Sequence, residues 1–338
     1  VPKGVHRVGG LLMRSNVELH LEEGAELNAV TGLENYHLVE RPYSEGIWSA
    51  VVMGVGVTNV AITGKGVING RGGTWPEPTR EDFERGCQEG LRPRGIFFTE
   101  AKDIRLEDFT LKDSPCWGIV IKACDGLVAK RVKIDSHANW NNDGVDIDAK
   151  DVLVEDCRID STDDGICLKS DNPDFITENV LVRNCRVASN CSFLKLGTAG
   201  RGGFRNCRYE HCTLVPCRAS PIHDWGGPKA ARGITDRITG LEGIAIESVD
   251  GGICENIRFT DIDMTAGGVQ TPIFVRLGRR NLHLQKTLYN MNAQPYYVLT
   301  DADGNTVTAR NYQYNRDPRA FEAWLREGLG NHKTSNQH

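Results

Sequence analysis

A six-residue pattern, x-Val/Ile-x-Val/Leu-x-Asp/Asn, keeps returning along this chain and limits what it can fold into. It reads Asn59-Val-Ala-Ile-Thr-Gly64, Asp103-Ile-Arg-Leu-Glu-Asp108, Asp151-Val-Leu-Val-Glu-Asp156, Asn179-Val-Leu-Val-Arg-Asn184 and Asn256-Ile-Arg-Phe-Thr-Asp261. A second short apolar run follows in successive repeats, as Gly118-Ile-Val-Ile121, Val145-Asp-Ile147, Ile166-Cys-Leu168, Leu194-Lys-Leu196 and Ile244-Ala-Ile246. Strict alternation in Val- and Ile-rich runs, bounded by Gly, Asn and Asp, is strand-and-turn chemistry. A period of roughly 20 to 30 residues is that of a solenoid. No single turn of such a chain can bury its apolar side alone, so the turns stack as parallel rungs ~4.8 Å apart. A β-sandwich would break the phase, whereas the repeat holds over residues 10–275. The expected fold is all-β, a parallel β-helix.

Stacking the second strands predicts the faces. Val145, Ile166, Leu194 and Ile244 form one inward column, and Ile147, Leu168, Leu196 and Ile246 the next. The outward columns then read Asp143, Asp164, Ser192, Glu242; Asp146, Cys167, Lys195, Ala245; and Asp148, Lys169, Gly197, Glu247. Asp163 stands just before its strand, beside Asp164. Three carboxyl groups, Asp143, Asp163 and Asp164, therefore converge on one face. Three so close cannot all ionise cheaply, so at least one holds its proton at a raised pKa. An acid beside a base is what hydrolysis of a glycosidic bond requires. The competing reading of Asn141-Asn-Asp-Gly-Val-Asp146 and Asp163-Asp-Gly165 is that Asp-Gly pairs merely make turns. Turns alone do not call for Asp163 and Asp164 together.

The net charge of -5 and the lack of a basic run leave no electrostatic footprint for nucleic acid or a membrane surface. No apolar stretch approaches the ~20 residues of a membrane span. The chain opens Val-Pro-Lys-Gly-Val-His-Arg, without a starting methionine or apolar signal core, and reads as a mature form or a fragment. The 11 cysteines include no Cys-x-x-Cys pair. Cys157, Cys185 and Cys207 follow similar tripeptides in successive repeats and are read as one stack of reduced core thiols.

These residues resemble the polygalacturonase-like glycoside hydrolases of family 28, over residues 5–280. The likeness rests on Gly64-Lys-Gly-Val-Ile-Asn-Gly-Arg-Gly72, Asp113-Ser-Pro-Cys-Trp117, Asn141-Asn-Asp-Gly-Val-Asp146 and Thr162-Asp-Asp-Gly-Ile166, in that order and spacing. It implies a right-handed, pectin-lyase-like β-helix and inverting hydrolysis, with Asp163 as general acid and Asp143 and Asp164 activating water. It also implies a pectic or related acidic polysaccharide or oligosaccharide as partner, and a secreted or periplasmic protein. We expect a monomer, with no metal or organic cofactor required.

Two departures put the specificity in doubt. Family members that cut polygalacturonate carry Gly-His-Gly one rung after the Asp pair, where this chain has Cys191-Ser192-Phe193. They carry Arg-x-Lys one rung further, where Ala245 and Glu247 stand here. Lys169 and Lys195 lie on the same outward face, so the contact to a substrate carboxylate is expected to have moved to them. Glu247 then pairs with a lysine or binds sugar hydroxyls. Asn141, Asp146 and Ser192 complete the expected binding set, with Trp117, Trp140 and Trp225 as sugar platforms and His223 replacing the missing histidine from a loop. Two rivals stay open: a silent carbohydrate-binding β-helix and a polysaccharide lyase of the same fold.

The coil pattern stops near residue 280, leaving residues 281–338 as a small α/β tail. Gln294-Pro-Tyr-Tyr-Val-Leu-Thr-Asp301 reads as a strand, Ala302-Asp-Gly-Asn305 as a hairpin turn before a second short strand, and Asp317 to Leu329 as a helix with Phe321, Trp324, Leu325 and Leu329 at helical spacing. This resembles the C-terminal half of a thioredoxin-like fold, with Pro295 at the place of its cis-proline. No redox pair precedes it. The tail is read as a cap or a fused segment.

Overall fold

The computed structural model describes residues 1–40, 47–76, 92–139, 141–218, 239–278, 296–297, 312–313 and 318–335. They belong to two compact units, Val1–Phe274 and Val275–His338.

The first unit is a right-handed parallel β-helix. One face is an eight-stranded sheet that climbs from Gly4–Val8 through Ala25–Ala29, Val67–Asn69, Thr110–Lys112, Lys133–Ser136, Arg158–Ser161 and Arg186–Ser189 to Thr213–Leu214. The other two faces share a second sheet. One of them carries Ala50–Val55, Arg94–Thr99, Ile166–Ser170, Ser192–Gly200 and Gly240–Ser248; the other carries Thr58–Gly64, Lys102–Glu107, Thr177–Arg183, Gly203–Glu210 and Ile253–Thr260. The long strands Ile119–Lys130 and Val145–Glu155 run across both.

The register matches the sequence columns. Val145 pairs with Ile166, Ile166 with Leu194 and Leu194 with Ile244, while Asp146 stands beside Cys167, Cys167 beside Lys195 and Lys195 beside Ala245. The inward columns are buried except for half-buried Ile246. Each fully buried aliphatic side chain contributes roughly 1.5–3 kcal/mol, so the stack itself holds the rungs together.

Why the repeat begins and ends on Asx is visible in the backbone. Asn16, Asn59, Asp103, Asp151, Asn179, Asn206 and Asn256 all take φ between 52° and 61°. Five residues later Asp108, Asp156, Asn184, His211 and Asp261 do the same, with φ between 51° and 71°. Asn and Asp tolerate this left-handed conformation better than other non-glycine residues. Each six-residue motif is therefore a short strand between two corners.

Those two look-alike corners mislead one expectation. Cys207 follows the first corner and pairs with Val180, not with Cys185. Cys212, after His211 at the second corner, instead joins Cys185 and Cys157 through thiol hydrogen bonds. The ten described cysteines are free, and most are buried.

In the second unit, Tyr296–Tyr297 pairs antiparallel with Tyr312–Gln313, and a helix spans Pro318–Ser335. The helix runs six residues beyond the expected Leu329, through Gly330, Asn331 and His332. Arg326 bridges back to Glu322 at 2.6 Å, and Phe321 stacks on Trp324 with ring centroids 5.7 Å apart. Pro295 and the turn at 302–305 lie outside the described residues.

Candidate active site

Two successive corners on one edge of the coil carry the acidic motifs, and a third follows them. Asp143-Gly144 precedes the strand Val145–Glu155, Asp163-Asp164-Gly165 precedes Ile166–Ser170, and Cys191 precedes Ser192–Gly200. Backbone bonds lock the corners in register: Gly144 N–H donates to Asp164 O at 2.7 Å, and Gly165 N–H to Ser192 O at 2.8 Å. A Cβ on Gly144 would meet Gly165 O at 2.4 Å, and one on Gly165 would meet Phe193 O at 2.6 Å. Glycine follows Asp143 and Asp164 because successive rungs close on one another there, which in turn fixes the carboxyl-bearing neighbour.

Behind the first corner lies a scaffold the sequence did not announce. Arg92 is fully buried and donates to Asn141 Oδ1 at 3.1 Å, Asn139 Oδ1 at 3.1 Å and Pro115 O at 2.9 Å. Asn142 accepts from Asn139 N–H at 2.8 Å and donates to Ser114 O at 2.6 Å. Asn141, expected to touch substrate, lines the cleft and is held in the left-handed conformation by this network. An arginine that carries a loop is invisible in sequence, because its partners lie 23 to 49 positions away in two separate stretches.

The three aspartates are 3–6% exposed and line one cleft of about 310 Å³. Asp164 N–H donates to Asp163 Oδ1 at 2.9 Å. The Asp164 carboxylate accepts from Ser192 N–H at 3.3 Å and from Lys195 Nζ at 2.8 Å. Asp143 Oδ1 is buried without a hydrogen-bond partner.

Electrostatics separate the three. Burial, then the charges of Asp163, Asp146 and Asp164, pushes Asp143 well above the ordinary carboxylate value. Burial, then adjacent Asp164, lifts Asp163 to about 7. Burial would lift Asp164 as well, but the ammonium groups of Lys195 and Lys169 outweigh it and hold Asp164 below its ordinary value. On the acid side of neutrality Asp163 thus keeps its proton while neighbouring Asp164 has lost its own, the arrangement that acid–base catalysis needs.

The lysines are not loose surface groups. Lys195 also reaches Glu247 at 3.3 Å, so Glu247 has the lysine partner foreseen as one of its two options. Lys169 lies 3.7 Å from Asp146 and 5.5 Å over the Trp117 ring. Asp146 is buried, and burial lifts it to about 6 against the pull of Lys169. Ser192 is buried and donates its hydroxyl to Glu242 at 2.9 Å. Trp117 lines the cleft. Trp140, His223 and Trp225 lie outside the described residues.

The cleft extends one rung earlier than expected. Lys122, paired with Asp148 in register, bridges to Asp171 and stands 4.8 Å from the Trp48 ring. Arg94 packs 3.9 Å over Trp48 and 5.5 Å from Trp117. Extending the outward column through Asp148 by one strand would have found Lys122. Trp48 carries no such signal.

Residues 1–201 match the family model for glycosyl hydrolases family 28. The chain belongs to this family. Among curated proteins, similar sequences include a "Probable polygalacturonase" of Vitis vinifera, 28% identical over 181 residues that make up 50% of this chain and 36% of the relative. An endo-polygalacturonase of Pectobacterium parmentieri is 26% identical over 179 residues, 48% of this chain and 44% of its own length. The chain thus spans less than half the length of these relatives. Among solved structures, an exopolygalacturonase of Thermotoga maritima superposes with a TM-score of 0.54 at 23% identity, covering 82% of this chain and 70% of the other. The polygalacturonase of Erwinia carotovora gives 0.51 at 18% identity, over 80% and 86%. At these identities the likeness is one of fold.

Proposed function

We propose that this chain is an O-glycosyl hydrolase that cleaves pectic or related acidic polysaccharide or its fragments by inversion. Asp163 donates the proton to the leaving glycosidic oxygen, Asp164 takes the proton of the attacking water, and Asp143 helps to hold that water. The observation that carries the reading is the split between adjacent aspartates in one cleft, with Asp163 raised to about 7 and Asp164 lowered. A general acid that keeps its proton beside a base that has lost its own can start the reaction without first moving a proton. The polygalacturonase names of the family relatives favour a uronic-acid polymer. Trp117 beside Lys169 supplies an apolar face and a cation in the same wall. Such a substrate lies outside the cytoplasm, which favours a secreted or periplasmic protein, and nothing in the chemistry asks for more than a monomer.

The test is reducing-end release from a panel of pectic polymers and oligosaccharides, comparing the chain with its Asp163→Asn variant. Release that is lost in the variant, with inverted anomeric configuration by proton NMR, supports the reading. An unsaturated product absorbing in the ultraviolet would make the protein a lyase. Binding without release, equal in both forms, would make it a carbohydrate-binding coil.

A further inference from the structure

Lys195 was expected to grip substrate, yet its surroundings give it another task. Its column neighbours are the Cys167 thiol on one rung and Ala245 on the next, both small and neutral. The side chain can therefore cross the outward face diagonally. It meets Asp164 one rung earlier at 2.8 Å and Glu247 one rung later at 3.3 Å. All three side chains are only 4–12% exposed, so water competes little for the ammonium. Asp164 in turn spends one carboxylate oxygen on Lys195 and the other on Ser192 N–H.

We propose that Lys195 is a positioning residue: clamped between Asp164 and Glu247, it fixes Asp164 as the anionic base and so leaves the proton on Asp163. This rests on the hydrolase reading above. The carboxyl groups of Asp163 and Asp164 are close enough that their nearest oxygens fall within 4.8 Å, and like charges so near cannot both be ionised cheaply. Without a fixed cation on one of them, the proton would be shared and the two roles would blur. Lys195 removes the ambiguity because, of the two aspartates, it pairs with Asp164. The other groups that face Asp164 are Asp163, Asp143 and Asp146, which oppose its ionisation, Glu242 below Ser192, and Lys169, which favours it. Lys169 is committed to Asp146. The Cys191 and Cys167 thiols are held neutral, by burial above all, and Cys191 adds a hydrogen bond that favours the Asp164 anion in a smaller measure than Lys195. Glu247 keeps the lysine from collapsing fully onto Asp164 and anchors it from the far side.

A positioning role and a gripping role separate in kinetics. Lys195→Met keeps the stem and removes the charge. It should lower kcat about a hundredfold, move the acid limb of the pH profile upward by at least about one unit, and leave KM for an acidic oligosaccharide within about threefold. Lys195→Arg should restore most of the rate and the original limb. A tenfold rise in KM with kcat and pH profile unchanged would overturn the proposal and return Lys195 to the substrate. A second readout needs no substrate. In protein labelled with carbon-13 at the aspartate carboxyls, with Asp164→Asn used for assignment, the Asp164 signal should titrate below that of Asp163 and rise in Lys195→Met. An Asp164 that titrates above Asp163 in the unmodified protein would sink the idea even if Lys195→Met fails to fold. If no pectic substrate is cleaved but Asp164 still titrates low, the hydrolase reading fails while the clamp stands.

Discussion

Two edges of this coil are built from the same residue types and do opposite things. Along one edge Asn59, Asp151, Asn179, Asn206 and Asn256 turn the chain with positive φ, exposed to water, their side chains linked rung to rung. Asn179 donates to Asp151 at 2.9 Å, Asn206 to Asn179 at 3.3 Å and Asn256 to Asn206 at 2.8 Å. Along the other edge Asp143, Asp163 and Asp164 also stand at corners but are buried, crowded and divided in protonation. Satisfied amides in water shape the backbone, whereas carboxyls taken out of water interact strongly enough to change one another's pKa. Depth, not residue type, separates a structural corner from a reactive one.

The sharpest way to break this contrast is at the buried edge. Asp163→Asn should lower kcat by about three orders of magnitude, measured as reducing-end release. Because the amide carries no charge to repel Asp164, its Tm at pH 8 should not fall and should rise slightly. An exposed-edge variant, Asn206→Gly, should leave kcat unchanged.

Next in size is a backbone effect. Gly144→Ala drives a Cβ into Gly165 O at 2.4 Å, and the rung must shift, at about 2 kcal/mol of stability in urea unfolding. Activity should fall as well, since Asp143 and Asp164 flank the distorted contact. Unchanged stability would mean that the corners are not held in the tight register described.

The pH dependence sharpens the comparison further. With Asp163 at about 7 and Asp164 below its ordinary value, kcat should hold on the acid side of neutrality and decline as pH rises through about 7. Stability follows a related sign. Asp163 and Asp146 are raised to about 7 and about 6 in the folded state. Their stabilising share is full below the unfolded value near ~4 and is lost as pH rises through their folded values. Asp164 acts in the opposite sense, stabilising above the unfolded value and losing that share as pH falls through its own lowered value. Between pH 5 and pH 8 the carboxyls that titrate are the raised ones, Asp146, Asp148 and Asp163 among them, so Tm should be higher near pH 5 than at pH 8, and Asp146→Asn should reduce the difference.

The smallest effect belongs to the exposed ladder. Asn179→Ala places a less tolerant residue at φ 57° and removes two amide contacts; about 1–2 kcal/mol of stability should go. Asn179→Gly should cost less, because glycine adopts that φ freely. Equal costs would mean that the side-chain ladder matters and the backbone conformation does not.

By itself the sequence determined the rungs, their register and the meeting of Asp143, Asp163 and Asp164. Each follows from a period-2 pattern whose phase is set by what can be buried, as the pairing of Val145, Ile166, Leu194 and Ile244 illustrates. It could not tell the two Asx corners of a rung apart, and so put Cys207 where Cys212 belongs. Nor could it separate a lysine that faces substrate from one already engaged: Lys195 lies in the predicted column, but its partners come from residues 31 and 52 positions away. Only the tertiary structure decided those pairings. Charge interactions depend on distance and burial in space, and neither is carried by the spacing of residues along the chain.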